Sequence, residues 1–447
     1  MKPFDRGVRS LFVALAVGLA WGIRGDFGHV LGASFPGAML GLSFAFVSGQ
    51  RAMFRWMPVM AAASALAIGA GGMMSYGILH GYAQSDTFIN YSYGFFTLIL
   101  EGGAWGTFGC GILGLLLEHD RVKLREWLTA PIVVVLSGCA FFLVVVRVCG
   151  FHINPPRSDL SIAFAGGAIG WIAWLAFAKR HYGLRGAILG YLGFGLGMAG
   201  ARLLANASVH QPFPVNHWNI MEVGAGFFGG LVFAWGMLGH KAPEAPRNLR
   251  FTIASASAAV YVMGLIPLLH RLLRINPEKR LEEWVTALSG YSYVDAEAVS
   301  QTVLATIHAT CVLAFLGALI WILAFVQRKS HLSAFPVLYL GAVMLLIQNL
   351  NALYFFYPRQ EGTINMHFVF WVLFGLMMVL AFVIQSKGEC LPDADFERVP
   401  WPRWALTGAV VYVLILAGAS ITNGEITMRS ANTRWPVWAW TDGPFPR

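Results

Sequence analysis

Apolar runs of about 20 residues follow one another along the whole chain, and no other feature constrains the fold as strongly. A run of that length crosses the hydrocarbon core of a bilayer as an α-helix, because a helix satisfies its own backbone groups in lipid. Charged residues make up only 12% of the chain, about half the share in a soluble domain. The sequence therefore predicts an all-α polytopic integral membrane protein with about thirteen transmembrane helices. The predicted spans are 9–27, 33–49, 57–80, 94–117, 129–148, 160–178, 185–204, 219–238, 251–270, 300–326, 334–356, 365–385 and 404–422.

Basic residues are concentrated in alternate loops, and this pattern predicts the orientation of the chain. The stretches 51–55, 121–125 and 179–185 all fall on the same side of the predicted spans as the N-terminus. Cytoplasmic loops carry the excess of Lys and Arg, so we expect a multi-pass protein of the cell (inner) membrane with a cytoplasmic N-terminus. The basic group within 271–280 disagrees, and a missed or additional helix near residues 270–300 would reverse everything downstream.

Several classes of protein are excluded or disfavoured by charge and spacing. The net charge of +9 lies mainly on these loops and forms no basic patch on a soluble face, so nucleic acid is not an expected partner. The N-terminus resembles a signal peptide, but its apolar run continues to residue 25, so we predict an uncleaved first helix. The five cysteines are scattered and no two histidines have metal-ligand spacing, so we predict no disulfide framework, metal site or cofactor.

The first eight spans look like one helical hairpin used four times. In each hairpin the returning helix carries small residues at every fourth position, which form a groove for close helix packing. Such a repeat predicts a ring or pseudo-symmetric bundle. The small-residue rows are Ala33, Gly37, Gly41 and Ala45; Gly102, Gly106, Cys110 and Gly114; Gly166 and Gly170; and Gly226, Gly230 and Ala234.

This pattern divides the chain into four parts. Residues 1–240 form the predicted four-hairpin bundle, and 241–250 a cytoplasmic linker. Residues 251–425 form a second membrane block of about five helices, with an amphipathic segment near 277–299 that we expect on the membrane surface. The tail 426–447 is rich in tryptophan and should lie at the external interface, where indole rings are favoured.

Ionisable side chains are concentrated near the outer ends of the hairpins, whereas the inner halves of the first eight spans are nearly free of them. Charge within a membrane is costly, so these residues are candidates for a binding site in a polar, outward-facing cavity. Arginine presents a planar fork of donors that suits carboxylate, phosphate or sulfate, which favours an anionic solute. The predicted substrate-binding residues are Arg24, Asp26, His29, His80, Glu101, Arg147, Arg202, Asn216, His217 and Glu222.

A structural interpretation of the same residues is equally open. Each hairpin carries an acid near its turn, and pairs between these acids and the Arg or His side chains would lock the hairpins together. His308 in span ten and the polar stretch 348–351 allow the same two interpretations. They either serve a proton relay or a solute path, or they form hydrogen bonds between helices.

Three functions fit this sequence. We favour a secondary carrier for a small polar, anionic solute, because hairpins, glycine grooves and an outer polar cluster suit alternating access. The second is a membrane-embedded transferase that acts at the outer face on a lipid-linked substrate, with no catalytic residue assigned. The third is a structural subunit of a larger membrane complex, in which the glycines serve helix packing. Membrane lipid is a partner in each case, and a homo-oligomer is open in all three.

Overall fold

The computed structural model describes residues 2–72, 74, 76–153, 158–209, 216–291, 294–355, 366–387 and 400–423. The side chains of Asp26, His29, Val30, Val209, Arg274 and Trp401 lie outside this description, as does the predicted aromatic tail 426–447. Within the described residues the chain is helical and has no strand. The α-helices are α1 Pro3–Ile23, α2 His29–Ser48, α3 Arg51–Gly71, α4 Gly77–Tyr82, α5 Phe88–Leu117, α6 Leu124–Phe142, α7 Leu160–Phe177, α8 His181–Val209, α9 His217–Met237, α10 Leu249–Ala259, α11 Ile266–Arg274, α12 Pro277–Leu288, α13 Ala296–Val326, α14 Ala334–Asn351, α15 Met366–Lys387 and α16 Trp401–Thr422.

The helices are compatible with a polytopic membrane protein. In the part of the chain that the structure describes, 13 helices are long and apolar enough to cross a membrane. Two of them are continued by a π-helical turn, at Leu143–Val148 after α6 and at Val260–Leu265 after α10. The predicted third span, 57–80, extends too far, because α3 ends at the glycine-rich stretch 69–72. The short helix α4 follows and packs against α5.

Six helices form a closed ring. Each of α1, α2, α3, α5, α8 and α9 contacts the next, and α9 closes the ring by packing along α1. Helices α6 and α7 pack on each other outside this ring, where α7 contacts α5 and α8. The predicted third hairpin therefore lies beside the ring and contributes no helix to it, and the fourfold repeat stays a prediction.

Three of the four small-residue rows lie at close contacts between ring helices, whereas the row of Gly166 and Gly170 on α7 lies against α6. A Cβ atom added at Gly106 of α5 would fall on the carbonyl oxygen of Gly190 of α8, and one at Gly190 would fall on that of Gly106. In α9, a Cβ at Gly226 would meet the carbonyl oxygen of Val17 of α1 at 2.5 Å. The ring thus depends on glycine for backbone contact between neighbouring helices.

The remaining helices lie around the ring. Helices α14 and α15 pack on α1, with α14 also against α2, while α16 contacts α8 and α5 on another side. Helix α12 lies within the predicted surface segment; its Trp284 and Leu288 are buried, and its charged residues are exposed except Arg280, which is partly buried. The Trp284 Nε1 donates to the carbonyl oxygen of Asn351 at the end of α14, at 3.1 Å.

The two ends of the bundle differ in character. The basic end, where α1 begins, carries the loops 49–50, 118–123, 178–180, 238–248 and 327–333. Contacts between these loops hold that end together. For example, the Glu118 Oε1 accepts from the N–H groups of Tyr182 and, at 3.0 Å, of Gly183, and so caps the start of α8. The opposite end holds the 3₁₀ turn Arg24–Phe27 and the segment 72–87.

Candidate functional site

The candidate site begins where α1 ends. Gly28 has a φ of 81°, a left-handed conformation that favours glycine, and this lets the chain turn from the 3₁₀ turn into α2. The turn places Arg24 inside the ring with 1% of its surface exposed. A buried guanidinium requires polar or aromatic neighbours, and Arg24 has both.

Arg24 belongs to a buried cluster with Tyr76 and Glu222, which we call the charge cluster. The Arg24 Nη2 donates to the Tyr76 hydroxyl, which in turn donates to the Glu222 Oε1 at 2.9 Å. The same Nη2 lies 3.8 Å from the Glu222 Oε1. The three residues come from the end of α1, the segment 72–87 and the start of α9, so the cluster joins elements far apart in sequence.

Aromatic rings enclose the guanidinium of Arg24. Its Cζ lies 5.1 Å from the ring centroid of Trp21, 5.2 Å from that of Tyr76 and 5.5 Å from that of Trp105. These distances allow cation–π attraction, which strengthens where water is excluded. Trp105 reaches this position because residue 71 is glycine; a Cβ there would overlap the indole ring.

A cavity of about 360 Å³ opens beside the charge cluster. Its lining includes Arg24, Tyr76 and Glu222 from the ring region, and Gln348 of α14 and His367 of α15 from the opposite wall. The His367 Nδ1 lies 3.0 Å from the Gln348 Oε1. The remaining lining residues are Gly22, Gly25, Gly28, Trp218, Asn219 and Phe370. This volume lies at the small end of the range for ligand sites, and polar groups converge on it from both walls.

Several buried polar atoms around the charge cluster have no hydrogen-bond partner among the described residues. These atoms include the Arg24 Nε, both ring nitrogens of His80 and the Glu101 Oε2. The other Glu101 oxygen, Oε1, accepts from the Ser161 hydroxyl at 2.8 Å. An unpaired buried polar atom costs about 1–3 kcal/mol, so each of these atoms is a candidate to contact a bound polar group or water.

His80 lies in α4, which is not one of the 13 described helices long enough to cross a membrane; its ring centroid lies 5.3 Å from that of Tyr76 and 5.3 Å from that of Trp218. Burial, together with the charges of Arg202 and Arg24, holds the pKa of His80 well below its usual range. The ring is therefore neutral, with one donor and one acceptor nitrogen. Such a ring binds a polar solute or water without adding charge.

Arg202 has neutral partners. Its Nε donates to the Asn206 Oδ1 at 2.6 Å, and the Gln84 side-chain oxygen, in the amide orientation that satisfies both residues, accepts from Nη1 at 3.2 Å and Nη2 at 2.8 Å. Asn206 also donates to the Ala83 carbonyl at 3.0 Å and to the Asn423 Oδ1 at 2.8 Å. Arg202 has no carboxylate partner in the described part of the chain. Arg202 and Asn206 together link α8 to Gln84 and to Asn423 at the end of α16, but Arg202 is not among the residues that line the cavity.

The other predicted residues lie apart from this cavity. Arg147 is exposed in the π-helical turn after α6. Asn216 is also exposed, and its side chain accepts from the N–H groups of Trp218 and Asn219 as the N-cap of α9. The His217 Nδ1 lies 2.7 Å from the Ser208 hydroxyl. Asp26 and His29 are backbone neighbours of the site, but their side chains lie outside the described structure. His308 is exposed on α13.

Sequence reasoning did not assign Tyr76, Trp218, Gln348 or His367 to the site. Gln348 belongs to the polar stretch 348–351, and His367 lies at the start of the predicted span 365–385; polar residues within apolar spans are a signal that could have placed both there. Tyr76 and Trp218 gave no such signal, since aromatic residues are common throughout the chain. No protein-family model, curated protein or solved structure matches the chain.

Proposed function

We propose that the protein is a secondary carrier that binds a small polar solute with one anionic group in the cavity beside the charge cluster. In this proposal it is a thirteen-span protein of the inner membrane with a cytoplasmic N-terminus, so the cavity lies toward the outer face. The observation that supports the proposal most is the position of the cavity. It lies between the helical ring and the pair α14–α15, with polar residues on both walls.

Such a position suits alternating access. Carriers bind solute near the junction of two helical units and expose it to each side by rocking one unit against the other. Inside the ring, one turn before Arg24, aromatic side chains pack closely: the ring centroid of Trp21 lies 5.3 Å from that of Trp105 and 5.5 Å from that of Phe194. Movement of α14–α15 against α1 would change the cavity wall at Gln348 and His367 without breaking the ring.

The polar groups of the cavity favour an anionic group on the solute. The Arg24–Glu222 contact of 3.8 Å is longer than a hydrogen bond, and Tyr76 bridges the pair. Arg24 therefore keeps donor capacity, including its unpartnered Nε, for a carboxylate or a similar oxyanion. Gln348 and His367 on the facing wall offer polar contacts for the rest of the solute.

Thermal unfolding of the purified full-length protein with a panel of small solutes tests this proposal. The panel consists of lactate, succinate, phosphate, sulfate, glucose and glycine, each at equal ionic strength. We expect at least one anionic solute to raise the melting temperature of the wild type, because a ligand that binds only the folded state stabilises it. Arg24→Gln should abolish the rise. Arg147→Gln is the matched control, since this exposed arginine lies outside the cavity and should leave the rise unchanged.

Two further results separate the competing functions. Because Arg24→Gln leaves Glu222 buried without its cation, His367→Phe serves as a second variant that keeps the charge cluster and changes the facing wall. Uptake of the stabilising solute into proteoliposomes supports the carrier, whereas its chemical conversion supports the transferase. If no panel solute stabilises the wild type and the protein isolates with a stoichiometric membrane partner, the structural-subunit interpretation holds.

A further inference from the structure

A second cavity, of about 740 Å³, lies at the basic end of the bundle; we call it the arginine pocket. Its lining comes from three separate parts of the chain: the start of α3, the linker between α9 and α10, and the loop between α13 and α14. The charged residues of the lining are Arg51, Arg55, Glu244, Arg247 and Arg328. Four arginines and a single carboxylate thus line the pocket. The lining also includes Ala52, Phe54, Ala245, Ser330 and His331.

Arg55 forms a fixed part of this pocket. Its Nη1 donates to the Ala245 carbonyl at 3.3 Å and its Nη2 to the Pro246 carbonyl at 2.9 Å, which ties the linker to α3. Its guanidinium Cζ lies 5.9 Å from the ring centroid of Phe251 and 6.0 Å from that of Phe325. The charges of Arg247 and Arg328 act on the same group, so the pocket gathers like charges that repel one another.

Arg328 occupies a backbone position that favours glycine. Its φ is 57°, and it ends α13 with the N–H of Arg328 bonded to the Phe325 carbonyl and the N–H of Lys329 to the Ala324 carbonyl. This pair of bonds defines a helix end at which glycine is the usual residue, because other side chains are strained there. An arginine in place of glycine at this position strains the backbone, but it adds a positive charge to the lining of the pocket.

The surroundings place the pocket where the helices leave the apolar layer. Leu249, at the start of α10, is 73% exposed, and Val326, at the end of α13, is 57% exposed. Exposed apolar side chains beside clustered arginines suit the level of lipid headgroups. The pocket also includes the first residues of α3, whose backbone N–H groups have no acceptor within the helix.

We propose that the arginine pocket binds a phosphate group, carried either by an anionic phospholipid headgroup or by a small soluble phosphate ester. Guanidinium forks match the oxygens of a phosphate, and a bound dianion relieves the repulsion among the four arginines. Basic residues that only set the topology need to share one side of the membrane, and nothing more. Here arginines from three parts of the chain also line one concave pocket. This proposal does not depend on the carrier function.

The test compares Arg328→Gly with Lys179→Gly in the full-length protein. Lys179 has a φ of 56° and ends α7 with the same pair of backbone bonds, but it lies outside the pocket. Both variants remove a basic side chain and relieve the same strain, so neither should be less stable than the wild type without a probe. Glycerol 3-phosphate binding is measured by calorimetry in detergent, and phosphatidic acid binding by native mass spectrometry, with phosphatidylcholine as the neutral lipid.

We expect Arg328→Gly to weaken binding about tenfold, because it removes one charge-assisted contact, and Lys179→Gly to bind as the wild type does. Binding of glycerol 3-phosphate identifies a soluble phosphate ester as the ligand. Binding of phosphatidic acid alone identifies a lipid headgroup. The proposal is overturned if neither probe binds the wild type, or if Arg328→Gly and Lys179→Gly bind equally well.

Discussion

The charge cluster gives a quantitative test of how the site holds its two charges. Arg24 and Glu222 expose 1% and 3% of their side chains and lie 3.8 Å apart. At an effective dielectric constant of about 20, their attraction is roughly 4 kcal/mol. Glu222→Gln removes the negative charge and leaves Arg24 charged in a buried position. We expect this variant to lose about 3–5 kcal/mol in free energy of unfolding, because the remaining cation is uncompensated.

The double variant isolates the pairwise part of this loss. Arg24→Gln together with Glu222→Gln removes both charges, so its loss should be clearly smaller than the sum of the two single losses. The double-mutant cycle should give a coupling energy of about 2–3 kcal/mol. Unfolding of the full-length protein in mixed detergent and SDS micelles, followed by tryptophan fluorescence, measures each free energy.

An exposed pair provides the control for this cycle. Lys279 and Glu283 on α12 lie 3.9 Å apart, almost the same separation, but with 74% and 43% of their side chains exposed. Solvent screens such a pair, so its coupling energy should be much smaller. If the buried pair couples no more strongly than the exposed pair, the reasoning is wrong, and Tyr76 with the surrounding aromatic rings compensates each charge independently.

Two further predictions concern the frame around the site. Gly106→Ala should lower the free energy of unfolding by about 1–3 kcal/mol in the same assay, because the new methyl group meets the backbone of Gly190. Gly375→Ala, where no neighbouring helix in the described structure comes within 4 Å of the new methyl group, should show no such loss. Burial raises the pKa of Glu118 above 4.5, so the folded protein keeps a proton that the unfolded chain loses. Its stability should therefore fall as the pH rises from 4.5 through that raised value, and Glu118→Gln should remove this slope. If the stability of the Glu118→Gln variant still falls with pH as the wild type's does, another group causes the pH dependence.

The sequence predicted the helices better than their ends. Hydropathy identifies spanning helices because a bilayer requires a certain length and an apolar composition of each one. Both properties can be read from a single stretch of sequence. Hydropathy extended the third span to residue 80, although α3 ends at Gly71. Residues 72–80 are still largely apolar, so composition does not distinguish a spanning helix from a segment that folds back into the bundle. That segment carries Tyr76, which is why the centre of the charge cluster was not predicted.

The glycine rows were predicted from spacing, and they lie at helix contacts for a clear reason. A small residue at every fourth position describes one helix face, whatever the partner is. The partner itself is not encoded locally: Gly106 meets Gly190 of α8, and Gly226 meets α1. For the same reason, the sequence could not predict that His367 and Arg24 line the same cavity. The ionisable side chains suggested candidate site residues, but only the packing of helices distant in sequence brought some of these residues together.

The closure of the ring by α1 and α9 also has a consequence for synthesis. Arg24 leaves the ribosome early, whereas Glu222 follows about 200 residues later, which at 5–20 residues per second is a delay of roughly 10–40 s. Tyr76 emerges within this interval and offers Arg24 a neutral oxygen before the carboxylate arrives. A chain that stops before α9 therefore lacks Glu222, the carboxylate that the folded protein places 3.8 Å from Arg24.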